Sequence, residues 1–459
     1  MDGATQLAGS SLAEGAASVQ GRFVAGWQEF ADGLDVSAVD ARWGEMAEHS
    51  AAVLACHEDR TYPGAIVASL SIPWGNNRGD LGGYHLVWAR DCIEVALARL
   101  ALGERVAARR TLSWLCAAQQ PDGHWTQNAF PDGRPFWTGI QLDEVALPII
   151  LAAALEVDVD DHQIKAMVHR AVGYLIEHGP ASPQDRWEEN AGVNAYTLAA
   201  VVSALLAATR WFGSVDAAYL RSLARYWNDR IEDWLYVVDG PFSANLPIDG
   251  YYVRLGRTDG VHDARGQIDV RNRDNVRLAG DQLVACDFLA LVRFGLRDPQ
   301  DQRIVDSVRL VDEVLAVELP TGVAYRRYNG DGYGEHADGA PFDGTGIGRP
   351  WPLLAGERGH YAAQAGDSPD RYLESMMAMT GRGRLLPEQV WDADPIPGRF
   401  LEPGHPTGSA MPLAWAHAEF VKLATFKRRG QPIECLTAVT DALADPKISD
   451  PGIGGSTCL

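Results

Sequence analysis

The stretch GYHLVWARDCIEVALARLALGERVAARRTLSWLCAA, residues 83–118, carries the unit from which the fold is read. It opens on a loop rich in aromatic and charged residues. From 88 to 102 apolar residues recur at helical spacing, Gly103 supplies a stop, and a second helical pattern runs over 105–118. The same periodicity predicts helices over 36–56, 140–155, 161–177, 193–213, 216–235, 279–296, 301–317, 369–380, 407–427 and 433–444. Gly179 and Gly295 end helices as Gly103 does and are expected as left-handed caps. Strand-like alternation is scarce. Two Gly-rich excursions stand out, a β-leaning one over 237–276 and a second over 329–350.

About twelve helices, joined alternately by short turns and long loops, can pack as six hairpins and close into a double-walled α/α toroid. In such a toroid the inner helices run the same way, and the loops before them converge on one end. The expected fold class is therefore all-α, an (α/α)6 barrel with long Gly-rich loops at that end. The expected boundaries are an N-terminal extension or linker remnant over 1–35, the barrel over 36–446 and a C-terminal tail over 447–459.

Length alone, 459 residues, would suggest about three average domains or one large one. The 46% hydrophobic and 22% charged content supplies a large core and rules out global disorder. Sixty-one acidic against 40 basic residues leave a net charge of −21, which argues against nucleic acid and anionic membrane as partners. A neutral or cationic ligand is easier to accommodate. Fourteen Trp exceed what a core needs and suggest flat ring surfaces offered to a ligand. The six cysteines form no C-x-x-C and no zinc spacing, so buried free thiols are expected and no metal. MDGATQLAGSSLAEGAASVQ has no basic or apolar leader region, and no apolar run is long enough to span a bilayer. The expected location is cytoplasmic, although a trimmed secreted chain would leave the same evidence. Nothing in the sequence sets the oligomeric state.

The unusual residues fall in the loops before helices. They are GYHLVWARD (83–91), HWTQNAFPDGRPFWTGIQLDE (124–144), QDRWEENAG (184–192), TGIGRPWPLLAGERG (345–359) and LPEQVWDAD (386–394). Each sets Trp beside Arg, Asp or Glu. An aromatic plate can stack on the C–H face of a sugar while charged groups bind its hydroxyls. Glycoside cleavage also needs two carboxyl groups, one protonated and one ionised. Glu188 has the indole of Trp187 and the like charge of Glu189 as neighbours, both of which raise a carboxyl pKa. Glu388 lies in a loop near Trp391 and suits a base. The competing explanation of Glu188 and Glu189 is a helix N-terminal turn that favours negative charge.

These stretches, with YNGDGYGE (328–335) and MPLAWAHAEFVKL (411–423), resemble glycoside hydrolase family 15, the bacterial glucoamylase and glucodextranase branch in particular. The resemblance implies an (α/α)6 barrel and inverting, exo-acting hydrolysis of α-glucans or gluco-oligosaccharides from the non-reducing end, releasing β-glucose without a cofactor. By motif position it implies Glu188 as general acid, Glu388 as general base and Tyr84 as the holder of the nucleophilic water. It implies substrate binding by Arg90, Asp91, Trp187, Glu189 and Arg349, with Trp137 and Trp351 as sugar platforms. Trp415 is read either as pocket floor or as core, with core favoured. Bacterial members of the branch usually carry a β-sandwich ahead of the barrel, and 35 residues are too few for one. The pattern around the Arg–Asp pair of trehalase-type members is missing. Linkage preference, α-1,6 against α-1,4 or another, is left open.

Other readings of the toroid are a glucosyltransferase on the same scaffold, a sugar epimerase, a glycan-binding relative and a terpene cyclase. QQPDGHW (119–125) resembles a cyclase repeat but occurs once, and the histidines are too scattered for an epimerase relay. EVDVDD (156–161) lacks the Gly and Glu of a calcium hand, and GTGIG (344–348) lacks the strand-then-helix context of a dinucleotide site.

Overall fold

The structure, a computed structural model, describes residues 2–75, 82–257, 266–274 and 276–444. The expected tail over 447–459 lies outside the described residues, as does part of the 237–276 excursion. In chain order the described helices are α1 (Asp2–Glu14), α2 (Ala16–Asp32), α3 (Ala41–Cys56), α4 (Ala89–Ala101), α5 (Arg105–Ala118), α6 (Leu142–Ala154), α7 (His162–His178), α8 (Ala195–Ala208), α9 (Ser214–Asn228), α10 (Ile231–Leu235), α11 (Leu289–Arg293), α12 (Gln302–Val314), α13 (Pro352–Gln364), α14 (Asp370–Ala378), α15 (Ala414–Arg429) and α16 (Thr437–Ala444). Three antiparallel ribbons pair β1 (Tyr236–Val238) with β2 (Gly250–Tyr252), β3 (Gln267–Asp269) with β4 (Arg277–Ala279), and β5 (Ala316–Leu319) with β6 (Gly322–Tyr325).

Six helices close a ring: α4 packs on α6, α6 on α8, α8 on α11, α11 on α13, α13 on α15 and α15 on α4. Around it α5, α7, α9 and α14 each pack on the inner helix that precedes them, and α3 packs on α15. α12 completes the outer layer against β2 and β5. Inner helices pass to outer ones through the turns 102–104, 155–161, 209–213, 294–301 and 365–369. Outer helices return through the long segments 57–88, 119–141, 179–194, 229–288, 315–351 and 379–413. The fold is an (α/α)6 barrel, and every inner N-terminus opens at the long-loop end.

The chemistry of the helices sorts them into layers. AYTLAAVVSALLAA, all of α8, is buried on every face, and its alanines let neighbours approach closely. α12 (QRIVDSVRLVDEV) buries one stripe and shows Gln302, Arg309 and Glu313 to solvent, as an outer helix must. Asp40, Asp161, Asn194 and Asp301 accept first-turn N–H groups at the starts of α3, α7, α8 and α12. The N-cap positions of α4, α6, α13 and α15 are instead Trp88, Gln141, Trp351 and Leu413, which do not cap. Their residue types serve the cavity above rather than the helix below.

Below that cavity the ring is filled. Lys422 bonds to Glu94 and, at 2.6 Å, to Glu434. Arg293 grips both oxygens of Glu419 at 2.8 and 2.9 Å and reaches Glu434 at 2.8 Å. All five side chains are buried. Burial works against their charges, but Arg293 and Lys422 outweigh it and hold Glu419 and Glu434 well below the usual carboxyl range. The barrel therefore opens at one end only.

Four expectations change. GRPWPLLAGERG does not stay a loop: Pro352 starts α13, an inner helix, with proline in its first turn. The predicted helix over 433–444 is not one of the twelve, since α16 lies outside both layers and packs on α8. The segment 279–296 holds two three-residue 3-10 turns and only five α-helical residues. Gly103 and Gly295 are left-handed (φ 86° and 81°), whereas Gly179 is extended (φ −75°, ψ 170°). Residues 1–35 also contain α1 and α2; α2 buries no residue fully, though Phe30 reaches the core. Among the described cysteines, Cys92, Cys116 and Cys286 are buried, while Cys56 is exposed.

Candidate active site

A cavity of about 490 Å³ sits at the long-loop end over the inner helix N-termini. Its lining includes Tyr84, Arg90, Asp91, Trp137, Trp187, Glu188, Glu189, Trp351 and Glu388, which are nine of the ten side chains singled out above. Trp415 also lines it while nearly fully buried, so it is floor and core at once.

The loop 184–192 is folded by its own polar residues. Asp185 Oδ1 accepts the amides of Trp187 (3.2 Å) and Glu189 (3.0 Å), and the Asp185 amide donates to the Asn190 carbonyl at 2.8 Å. This tight turn forces Glu188 to φ 66°, a left-handed conformation that Cβ disfavours by about 1 kcal/mol or more. The result is one side chain thrown into the cavity between two that are held back. Glu188 is 35% exposed, against 2% for Glu189. Among the described residues its carboxyl oxygens meet only Gln127 Nε2 at 3.4 Å and Arg90 Nη2 at 4.0 Å. Burial raises its pKa to about 7, with Arg90 and Arg327 opposing.

Glu388 lies on an extended segment stitched by backbone bonds. Its amide donates to the Ala410 carbonyl (2.8 Å), that of Gln389 to Ser409 Oγ (3.0 Å), and that of Leu386 to His417 Nε2 (2.9 Å). Tyr84 donates to Glu388 Oε1 at 2.7 Å, and its hydroxyl is also bonded to that of Tyr333. Burial lifts the Glu388 pKa to about 8, against the hydrogen bond from Tyr84. Gly83, one residue before Tyr84, has φ 68° and leaves no room for a side chain: a Cβ there would lie 2.9–3.2 Å from Asn128, Trp137 and Trp88.

Arg90 and Asp91 open α4 at the cavity floor. Arg90 Nη1 donates to Gln141 Oε1 (2.6 Å) and Asp143 Oδ2 (2.9 Å), and its guanidinium lies 5.4 Å from the Trp415 ring centre. Burial opposes its charge, and Asp143, Glu144 and Asp91 outweigh that. Burial raises Asp91 to about 6. Trp187, Trp351 and Trp415 form one aromatic wall, with ring centres 5.4 and 6.1 Å apart. Trp137 meets Trp88 edge to face on another, at 5.8 Å.

Two expectations are corrected. Arg349 does not line the cavity. Its guanidinium is spent on Asp392 (2.7 Å) and the carbonyls of Glu335 and His336, and it stacks 4.0 Å from the ring centre of Trp391. Arg327 takes the wall position instead, bound to Asp331 by two 2.7 Å bonds and to Glu189 at 2.9 Å. Glu189 has little left for a ligand, since its oxygens already accept from Arg327, Arg254 (2.9 Å), Tyr328 (2.6 Å) and Asn272 (3.3 Å). Those bonds brace the cavity wall.

Sequence reasoning passed over Arg327, Tyr333, Gln127, Arg186, Arg271 and Asn272, all of which line the cavity. Arg327 and Tyr333 flank or belong to the quoted YNGDGYGE stretch, and Arg186 stands in QDRWEENAG, so nearness to those motifs was a usable signal. Arg271 and Asn272 stand in no motif, and their one signal was membership of the Gly-rich excursion over 237–276.

A closed six-hairpin barrel with a one-ended pocket of aromatic plates and two raised carboxyls is the class of scaffold on which (α/α)6 glycosidases are built. The chain belongs to glycosyl hydrolase family 15, whose model matches residues 43–123 and 122–425. It is 36% identical over 430 residues to a glucoamylase of Clostridium sp. (strain G0005), covering 92% of this chain and 58% of that protein. It is 24% identical over 364 residues to an uncharacterized glycosyl hydrolase of Methanocaldococcus jannaschii, covering 74% of this chain and 50% of that one. A crystal structure of a bacterial glucoamylase complexed with acarbose superposes with a TM-score of 0.85 at 33% identity, over 96% of this chain and 64% of that one. The chain thus spans from half to just under two thirds of the length of these relatives.

Proposed function

We propose that the chain is an exo-acting, inverting α-glucoside hydrolase that releases β-glucose from the non-reducing end of α-glucans or gluco-oligosaccharides. The observation that carries this reading is the placing of Glu188 and Glu388, from separate loops, in one blind pocket above Arg90 and Asp91. A pocket closed below accepts a chain end and not a chain middle. The likeness to glucoamylases, one of them complexed with acarbose, supports an oligosaccharide ligand.

The terminal glucose docks on the floor, its hydroxyls meeting Arg90 and Asp91 and its faces the Trp187–Trp351 wall. Burial pushes both carboxyls up, Glu188 to about 7 and Glu388 to about 8, so in the free pocket near neutrality the pair holds a proton that sits mainly on Glu388. The substrate decides where that proton sits. A glycosidic oxygen only accepts, so it selects protonated Glu188. The attacking water donates, and so does Tyr84, so both select ionised Glu388. Glu188 then protonates the leaving oxygen, Glu388 removes a proton from water on the opposite face, and the anomeric carbon inverts. Arg327 adds positive charge to the wall but lies beside Glu189, and serves to orient rather than to transfer protons. The test is to follow glucose release, and its anomer, from maltose, isomaltose, panose and dextran.

A further inference from the structure

The ribbon β3–β4 reaches the mouth of the cavity and places Arg271 and Asn272 in its lining. It is not a loose flap. Val270 joins Leu283, Ala285 and Tyr328 in a small apolar core of its own, backed by Ile268, Val276 and Leu278. Three polar ties then bind it to the loop that carries Glu188. Asn190 Nδ2 donates to the Asp269 carbonyl (3.2 Å), Asn272 Nδ2 to Glu189 Oε1 (3.3 Å) and Arg271 Nη1 to the Glu188 carbonyl (2.5 Å). A fourth, from Arg273 Nη1 to the Gly330 carbonyl at 3.3 Å, joins it to the opposite loop.

The depth of these groups separates their tasks. Arg90, Arg186 and Trp415 are buried at the floor, where the terminal sugar fits, whereas Arg271 is exposed. It is also tied to the backbone of the very residue that faces the leaving oxygen. A guanidinium has five N–H donors in a rigid plane, and the bond to the Glu188 carbonyl uses one of them. That bond fixes the fork at the mouth on the side of the acid, where the departing sugar must lie.

We propose that Arg271 recognises the leaving-group sugar, hydrogen-bonding its hydroxyls and so selecting which linkage is cleaved. The proposal rests on the exo-hydrolase reading above. An α-1,4 and an α-1,6 linkage turn the leaving sugar differently, so a fixed fork meets different hydroxyl pairs. A guanidinium on a preset ribbon loses little freedom when it binds, which favours discrimination over mere attraction.

The test compares Arg271→Ala and Arg271→Lys with wild type on maltose, isomaltose and α-glucosyl fluoride, whose leaving group is a bare halide. For Arg271→Ala, kcat/KM on the preferred disaccharide should fall about tenfold further than on the fluoride, and the maltose-to-isomaltose ratio should shift about fivefold or more. Arg271→Lys keeps the charge without the fork and should show the same ratio shift. Equal losses on all three substrates would mean that Arg271 only holds the Glu188 loop, and would overturn the proposal. An unchanged ratio in both variants would overturn it too. A wild-type enzyme that releases no glucose from any substrate would instead overturn the hydrolase reading itself, a failure visible before any variant is made.

Discussion

Tyr84 donates its phenolic hydrogen to Oε1 of Glu388 at 2.7 Å, while Oε2 of the same carboxyl is buried with no hydrogen-bond partner among the described residues. One oxygen is thus held in place and the other is kept for a ligand. A hydrogen bond to the ionised form lowers a pKa, so Tyr84 works against the burial that lifts Glu388 to about 8. Removing it in Tyr84→Phe should push that pKa higher still. With Glu388 (about 8) above Glu188 (about 7), the reactive form, Glu188 protonated and Glu388 ionised, is the minor singly protonated state of the free pocket, so raising Glu388 should lower the maximum of kcat/KM and move its alkaline limb to higher pH. The acid limb, set by Glu188, should stay. A pH series on the preferred substrate reads both limbs, and an alkaline limb moving down would contradict the assignment.

Glu188→Gln and Glu388→Gln should each lower kcat on an oligosaccharide by about 10²–10⁴. They should part company on α-glucosyl fluoride, whose leaving group needs no proton. Glu188→Gln should recover most of its rate there, and Glu388→Gln should not. Equal recovery would mean the acid and base roles are wrongly shared out.

Arg327 and Arg349 should fail in different ways. Arg327 faces the cavity, so Arg327→Met should cut kcat/KM by about tenfold or more through the loss of a charged wall group. Arg349 lies outside it and shares Asp392 with Arg326, so Arg349→Met should cost about 1–3 kcal/mol of stability and leave activity per folded molecule largely intact. Arg327→Met should cost stability as well, since it strips a partner from buried Asp331 and Glu189, so initial rates per folded molecule, read beside denaturant melts, separate the two.

The contrast between these arginines shows how far the sequence could be read. Inner helix α8 was legible because its residues are apolar on every face, and α12 because one stripe is. Inner helix α13 was not, since LLAGERGHYAAQ breaks its apolar pattern with two glycines. The structure explains them: a Cβ on Gly356 would come within 2.6 Å of Glu419, and one on Gly359 within 2.6 Å of Leu423. Those glycines let α13 press on α15, and only Pro352 marked the helix start. Most of the pocket was legible because Trp, Arg and carboxylate cluster in short motifs. Arg349 was assigned by its place in the GRPW motif, while contact is decided by the side chain's direction. Arg271 was not singled out because its ribbon tip carries no motif, although the excursion over 237–276 that holds it stood out.

Gly356→Ala should cost about 1–3 kcal/mol by overpacking the α13–α15 contact, with activity per folded molecule little changed. A thermal melt matching wild type would show that the two helices have more room than their spacing implies.

If two carboxyls on opposite sides of the scissile bond deliver a proton and a water in one displacement, the released glucose is inverted. Proton NMR of the first minutes of reaction with maltose, isomaltose, panose and dextran reads its anomer. β-Glucose should appear first and drift to the α/β mixture by mutarotation. Initial α-glucose would contradict a single displacement.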